Sequence, residues 1–290
     1  MRGFLLSVLL IPLTGLPVRA EDDPQAAAQK KAARDNWAAL EFGEPVHHET
    51  PHLLLYASKP LEGKLKDVGA ALEKHYATAE KALQLDPKKE KWPGKLTVYL
   101  FAERAEFTAY VRRVEKRRLD EEETSVHMVA GDFPRVAAGP PRSKQAVNLE
   151  MHAAEELAAA LLQRKAGAKT PLPDWLLVGF GRATTWRVYP REKATTDARR
   201  EAIALVINKK RTPQQVWGGG IEAEEAAVLR PMLADLLAYG PGSSRFPALV
   251  LGFRPDEGQE RRSTEQALEA AGIKPDRLAQ VWPDFVRNLR

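Results

Sequence analysis

Near residue 150 the hydrophobic pattern of this chain changes period, and that change restricts the fold more than any other feature. Before it, short apolar runs bounded by turn residues predict strands at 52–58 (HLLLYAS), 95–101 (KLTVYLF), 126–130 and 145–149. Between the first two, residues 60–84 place Leu61, Leu65, Val68, Leu72, Tyr76, Ala79 and Leu83 at steps of three and four, which predicts a helix. Asp86 and Pro87 end it. Another helix is expected over 103–118, with the charged run 112–118 solvated on its outer face. After residue 150 nearly everything is helical: 150–165, 173–187, 192–209, 222–239, 243–252, 262–271 and 275–288. Strands in the first half and helices in the second predict an α+β fold, with a mixed sheet-and-helix lobe at 45–149 packed on a mainly helical lobe at 150–290. Residues 21–44 read as a lead-in helix or mobile segment anchored by Trp37 and Leu40.

The N-terminus has the form of an export signal. Arg2 precedes an apolar stretch at residues 4–13, and Val18 and Ala20 put small residues at −3 and −1 of a cleavage site before Glu21. The stretch is too short to span a bilayer. The expected location is periplasmic or extracellular, with no membrane segment after cleavage. The 290 residues include no cysteine, so disulfides and lipidation at cysteine are excluded. The formal charge of +5 falls to +3 once Arg2 and Arg19 leave with the signal. That excess is small and dispersed, unlike the basic stripe of a nucleic-acid binder.

Two segments then belong together. Glu155-Glu156-Leu157-Ala158-Ala159-Ala160-Leu161-Leu162 lies inside one predicted helix. Leu172-Pro173-Asp174-Trp175-Leu176-Leu177-Val178-Gly179-Phe180-Gly181 opens the next. Together they resemble the gluzincin peptidases, specifically the peptidase-MA-like group, in which HExxH on one helix is followed by a Leu-Pro-x-Trp-Leu-x-Glu-Gly segment. In that motif, histidines at i and i+4 and the downstream Glu hold zinc, and the Glu after the first His is the general base. The resemblance spans roughly residues 45–290. It includes a C-terminal series of Leu268, Gly272, Leu278, Trp282 and Phe285.

At the metal positions the chain departs from the motif. Glu155 stands at the first His, Ala159 at the second and Val178 at the third ligand, while Glu156 occupies the base position. The resemblance therefore implies a degenerate site with no zinc and no zinc-dependent hydrolysis. It implies a pseudopeptidase that keeps an inter-lobe cleft for a peptide or protein, with Ala159 and Val178 packed where the metal would sit. Two alternatives remain open: a metal-dependent hydrolase whose site has moved to His152, Glu155 and Glu156, and an envelope structural or interaction module. His152 and Glu156, four residues apart, share a helix face. His47, His48 and Glu49 with His52 form a second cluster, in which His48 and His52 can converge, although solvated strand-entry residues are the simpler reading. Gly218, Gly219 and Gly220 lack the strand-before context of a nucleotide loop and read as a turn.

Overall fold

A computed structural model describes residues 24–86, 92, 94–142 and 148–289. Residues 1–20, where the sequence leads one to expect an export signal, lie outside the described residues. Among those described, no helix is long and apolar enough to cross a membrane.

The fold is α+β, as the switch in period predicts. Five strands, β1 (Val46–Glu49), β2 (Leu53–Ala57), β3 (Leu96–Leu100), β4 (Ser125–Met128) and β5 (Arg135–Ala138), form one mixed sheet in the order β1-β2-β3-β5-β4. The central pairs β2–β3 and β3–β5 are parallel, and the outer pairs are antiparallel. Both faces of the centre are covered, so β2 and β3 are buried at every position and read as continuous apolar runs.

Strand alternation sends two sets of side chains to two cores. On one face Tyr56, Tyr99 and Phe101 join Trp37 from helix α1 (Pro24–Ala38) and Phe107 and Tyr110 from α3 (Arg104–Arg113). Trp37 stacks on Phe101 at a centroid distance of 5.3 Å. Gln29 of α1 is buried and ties it to β3, its Oε1 accepting from the amide of Lys95 just before the strand at 2.9 Å and its Nε2 donating to Thr97 Oγ1 at 3.0 Å. On the other face Leu53, Leu55, Val98 and Val136 meet α2 (Leu65–Leu83) and α4 (Leu149–Ala166). That second core runs on without interruption into α5 (Asp174–Val188), α6 (Lys193–Asn208), α7 (Pro213–Gly218), α8 (Ala223–Tyr239), α9 (Phe246–Gly252), α10 (Thr264–Ala270) and α11 (Pro275–Arg287).

Several local expectations are corrected. The first turn of the helix expected from residue 60 is a 3-10 helix, Lys59–Lys64, that leads into α2. The helix expected over 103–118 stops at Arg113, because Lys116 adopts a left-handed backbone with φ of 56°. Its charged tail is not simply solvated: the Glu115 side chain is buried, accepting from Arg135 Nε at 2.8 Å and from the Tyr110 hydroxyl at 2.9 Å. The strand expected at 145–149 does not form at its end. Residues 145–147 lie outside the described residues, Leu149 begins α4, and Asn148 caps it by accepting from the Met151 amide. The fifth strand is instead β5.

Candidate functional site

Helix α4 carries the first motif because its apolar positions face the sheet and α5, leaving Glu155 and Glu156 toward the open side. Helix α5 carries the second and lies unusually close to α4. A Cβ at Gly181 would sit 2.5 Å from the Glu155 carbonyl oxygen, and one at Gly179 would sit 2.6 Å from the Arg230 carbonyl oxygen of α8. The two glycines thus let α5 wedge between two helices.

The result is a cavity of about 450 Å³ between edge strand β4 and helices α4 and α5. Its lining includes Glu155, Glu156, Ala159 and Val178, with His152 beside them. All the residues that the motif comparison singles out line this one space, as do Ser125, His127 and Arg182, which it does not name.

Glu156 is fully engaged. It accepts from His127 Nδ1 at 2.5 Å and from Ser125 Oγ at 3.1 Å. Burial by itself would raise its pKa, but the His127 bond and charge, helped by Ser125, outweigh burial and hold it below the ordinary carboxylate value. Glu155 takes the other course. Burial pushes its pKa up to about 7, against the opposing attraction of Arg182, whose Nε lies 3.6 Å away. Two adjacent carboxyls therefore differ in charge near neutral pH, and each keeps about a fifth of its side chain open to the cavity, 22% for Glu155 and 21% for Glu156. His152 bonds Thr124 Oγ1 at 3.2 Å, and burial, reinforced by Arg182, lowers its pKa.

Arg182 is positioned by a defect in α8. Pro231 has no backbone N–H, so the Ala227 carbonyl four residues earlier has no helical donor. Arg182 Nη1 supplies one at 3.1 Å.

These residues do not fit a zinc ion at the motif positions. Ala159 and Val178 offer no donor atom, and the one carboxyl there, Glu155, already has a guanidinium at its side. Among the described residues no group of three or more His, Asp or Glu is arranged to hold a metal. Ala159 is buried, but Val178 does not pack into the vacated position; it is 41% exposed at the cavity mouth. The histidines at 47, 48 and 52 go separate ways. His47 stacks near Tyr56, His48 lies against Gly69 of α2, and His52 stacks on Tyr76 and bonds Glu73 at 2.7 Å.

Sequence reasoning missed His127 and Arg182, although both left a signal. Ser125 and His127 alternate with Val126 and Met128, which is the polar face of a strand. Arg182 stands four residues after Val178 and so on the same helix face.

No family model and no curated protein matches the chain. Among solved structures it is similar to a functionally unknown conserved protein from Bacillus anthracis str. Ames. Identity is 13% and the TM-score 0.46, covering 93% of this chain and 55% of that one. A mutant of a functionally unknown conserved protein from the same organism matches at 14% identity and a TM-score of 0.45, covering 84% of this chain and 51% of that one. The chain spans about half the length of the solved structures it matches, and a likeness this distant assigns no activity.

Proposed function

We propose that this protein is an exported, non-catalytic relative of the gluzincin peptidases that uses the cavity between β4, α4 and α5 to hold an extended polypeptide. The observation that carries this reading is the state of Glu156. The residue at the general-base position is committed to His127 and Ser125, and the ligand positions beside it hold a methyl group, an isopropyl group and a carboxyl paired with Arg182. A carboxylate held by two donors, beside positions that supply no set of metal ligands, serves as a structural anchor.

The cavity still suits a polypeptide. One wall is β4, an edge strand whose outer side has no partner strand among the described residues. An extended peptide adds to such an edge through main-chain hydrogen bonds, and its alternate side chains point into the adjoining cavity. Exposed Val178 at the mouth gives an apolar contact, and Arg182 with the two glutamates gives polar ones.

The test is to incubate the purified protein with a labelled unfolded polypeptide such as reduced, alkylated casein, with and without added zinc. Metal content and cleavage products are measured by mass spectrometry, and binding by anisotropy. Binding without cleavage, unchanged by chelator and weakened by Val178→Asp, is the expected outcome. Chelator-sensitive cleavage that is lost in Glu156→Gln overturns the reading in favour of a hydrolase centred on His152, Glu155 and Glu156. Failure to bind, with the fold intact, points to a purely structural module.

A further inference from the structure

A second concavity, sharing no lining residue with the first, lies between the C-terminal end of α8, the turn before α9 and the start of α11, and encloses about 650 Å³. Its floor is apolar, made by Leu236, Leu237, Ile273 and Leu278. Val281, one of the few large apolar side chains left exposed among the described residues, extends that floor to the surface at 42% exposure. Around it stand three exposed cations, Arg245, Lys274 and Arg277, and among the described residues no carboxylate lines the groove.

The charged residues that line the groove are all of one sign. Further along α11, Arg287 pairs with Asp284 at 2.7 Å. Lys274 and Arg277 have no ion-pair partner among the described residues, and Arg245 bonds only the Gly272 carbonyl. Arg277 and Val281 stand four residues apart on one face of α11, and Lys274 is the N-cap residue just before it, so two cations and an apolar side chain line the same side of the groove. Unmatched charge of one sign around an apolar floor selects a partner of opposite charge and suppresses others.

We infer that this groove is a docking site for an acidic amphipathic helix of a partner protein, with apolar residues on the floor and carboxylates against Arg245, Lys274 and Arg277. The shape favours this occupant over an anionic bilayer, because a flat surface does not reach a concave floor. It also favours it over a single acyl chain. Such a chain brings one anionic head to three cations, whereas a helix presents several carboxylates and turns its own polar face outward.

The test uses a short fluorescein-labelled helical peptide of leucine and glutamate, and a matched peptide with lysine in place of glutamate, titrated against the full chain by anisotropy. The acidic peptide is expected to bind saturably, more weakly as salt rises. Lys274→Glu with Arg277→Glu should weaken it about ten-fold or more. Val281→Ser should also weaken it, with every charge in place. Circular dichroism melting confirms that each variant folds, and Lys274→Gln with Arg277→Gln replaces the charge reversal if that pair melts early. Equal binding of the two peptides, indifference to the α11 variants, or no binding of the acidic peptide overturns the inference. So does preferential binding to phosphatidylglycerol vesicles over the acidic peptide.

Discussion

Gly181→Ala is the substitution that best tests how the site is built, because two principles give it opposite signs. In an unencumbered helix interior, replacing glycine by alanine stabilises by about 1 kcal/mol. Here the new methyl carbon would lie 2.5 Å from the Glu155 carbonyl oxygen, 3.1 Å from its carbonyl carbon and 3.2 Å from its Cα. All three are backbone atoms, so no side chain can swing aside. Restoring ordinary contact at 3.4 Å requires α5 to withdraw from α4 by roughly 0.9 Å. Withdrawal is resisted on the far side, where Gly179 already holds α5 against the α8 backbone. Overpacking of this kind costs about 1–3 kcal/mol, which outweighs the propensity gain. Set against the gain of about 1 kcal/mol, the expected net loss is up to about 2 kcal/mol, read from urea denaturation followed by circular dichroism. Gly63→Ala is the control. Nothing lies within 4 Å of its Cβ position, and its stability should be unchanged or slightly higher. If Gly181→Ala is as stable as the parent, the close α4–α5 approach is not what the glycine provides, and the account of the cavity wall fails.

Three further outcomes follow from the charged groups. Glu155 has a folded-state pKa raised from 4.5 to about 7. The native state therefore binds more protons than the unfolded chain between those values, and stability falls as pH rises across that window. Glu155→Gln removes the effect and should be more stable than the parent at pH 8 by about 1–3 kcal/mol, with the gap closing toward pH 4.5; a gap independent of pH counts against it. His127→Ala leaves Glu156 with Ser125 alone and should cost about 1–3 kcal/mol in the same assay at neutral pH. Asp235 of α8 is fully buried and bonds Arg187 of α5 at 2.5 Å, so Arg187→Ala strands a carboxylate and should cost about 3–5 kcal/mol, more than Asp235→Asn. A smaller loss in Arg187→Ala than in Asp235→Asn would show that Arg199, 3.9 Å away, suffices.

The sequence made the fold legible where one physical signal dominated. Periodicity places α2 and α4 to within a few residues, and continuous apolar runs mark β2 and β3 because both faces of the sheet's centre are covered. It failed where an element is short and owes its existence to its neighbours. β5 is four residues, RVAA, between Pro134 and Gly139, and nothing in that composition announces a central strand. The site was legible in the same uneven way. Helical spacing gathers His152, Glu155, Glu156 and Ala159 on α4, and the Leu-Pro-Asp-Trp-Leu segment brings in Val178. What it does not reveal is a contact across elements, such as His127 on β4 reaching Glu156. The place of Arg182 depends on a proline 49 residues further along the chain, which frees a carbonyl on another helix.

Those cross-element contacts explain how the cavity tolerates two neighbouring carboxyls. Adjacent half-buried glutamates repel one another, and each disfavours the charged form of the other. A divalent cation would neutralise both, but the donor set at positions 155, 159 and 178 is not one that holds it. The chain meets the problem with two separate devices. His127 and Ser125 stabilise one carboxylate as an ion. Burial shifts the other toward its neutral form, with Arg182 near at hand when it does ionise. Each device depends on an element other than α4, so the charge balance of the cavity requires β4, α5 and the proline-broken turn of α8 to be in register together. This couples the site to the packing of α5. A change that moves α5 away from α4, as Gly181→Ala is expected to do, should lengthen the Arg182–Glu155 approach and raise the Glu155 pKa further. Carbon-13 NMR of labelled glutamate carboxyls should find that titration above its parent value in Gly181→Ala. A Glu155 titration unmoved in that variant would show that burial alone sets it.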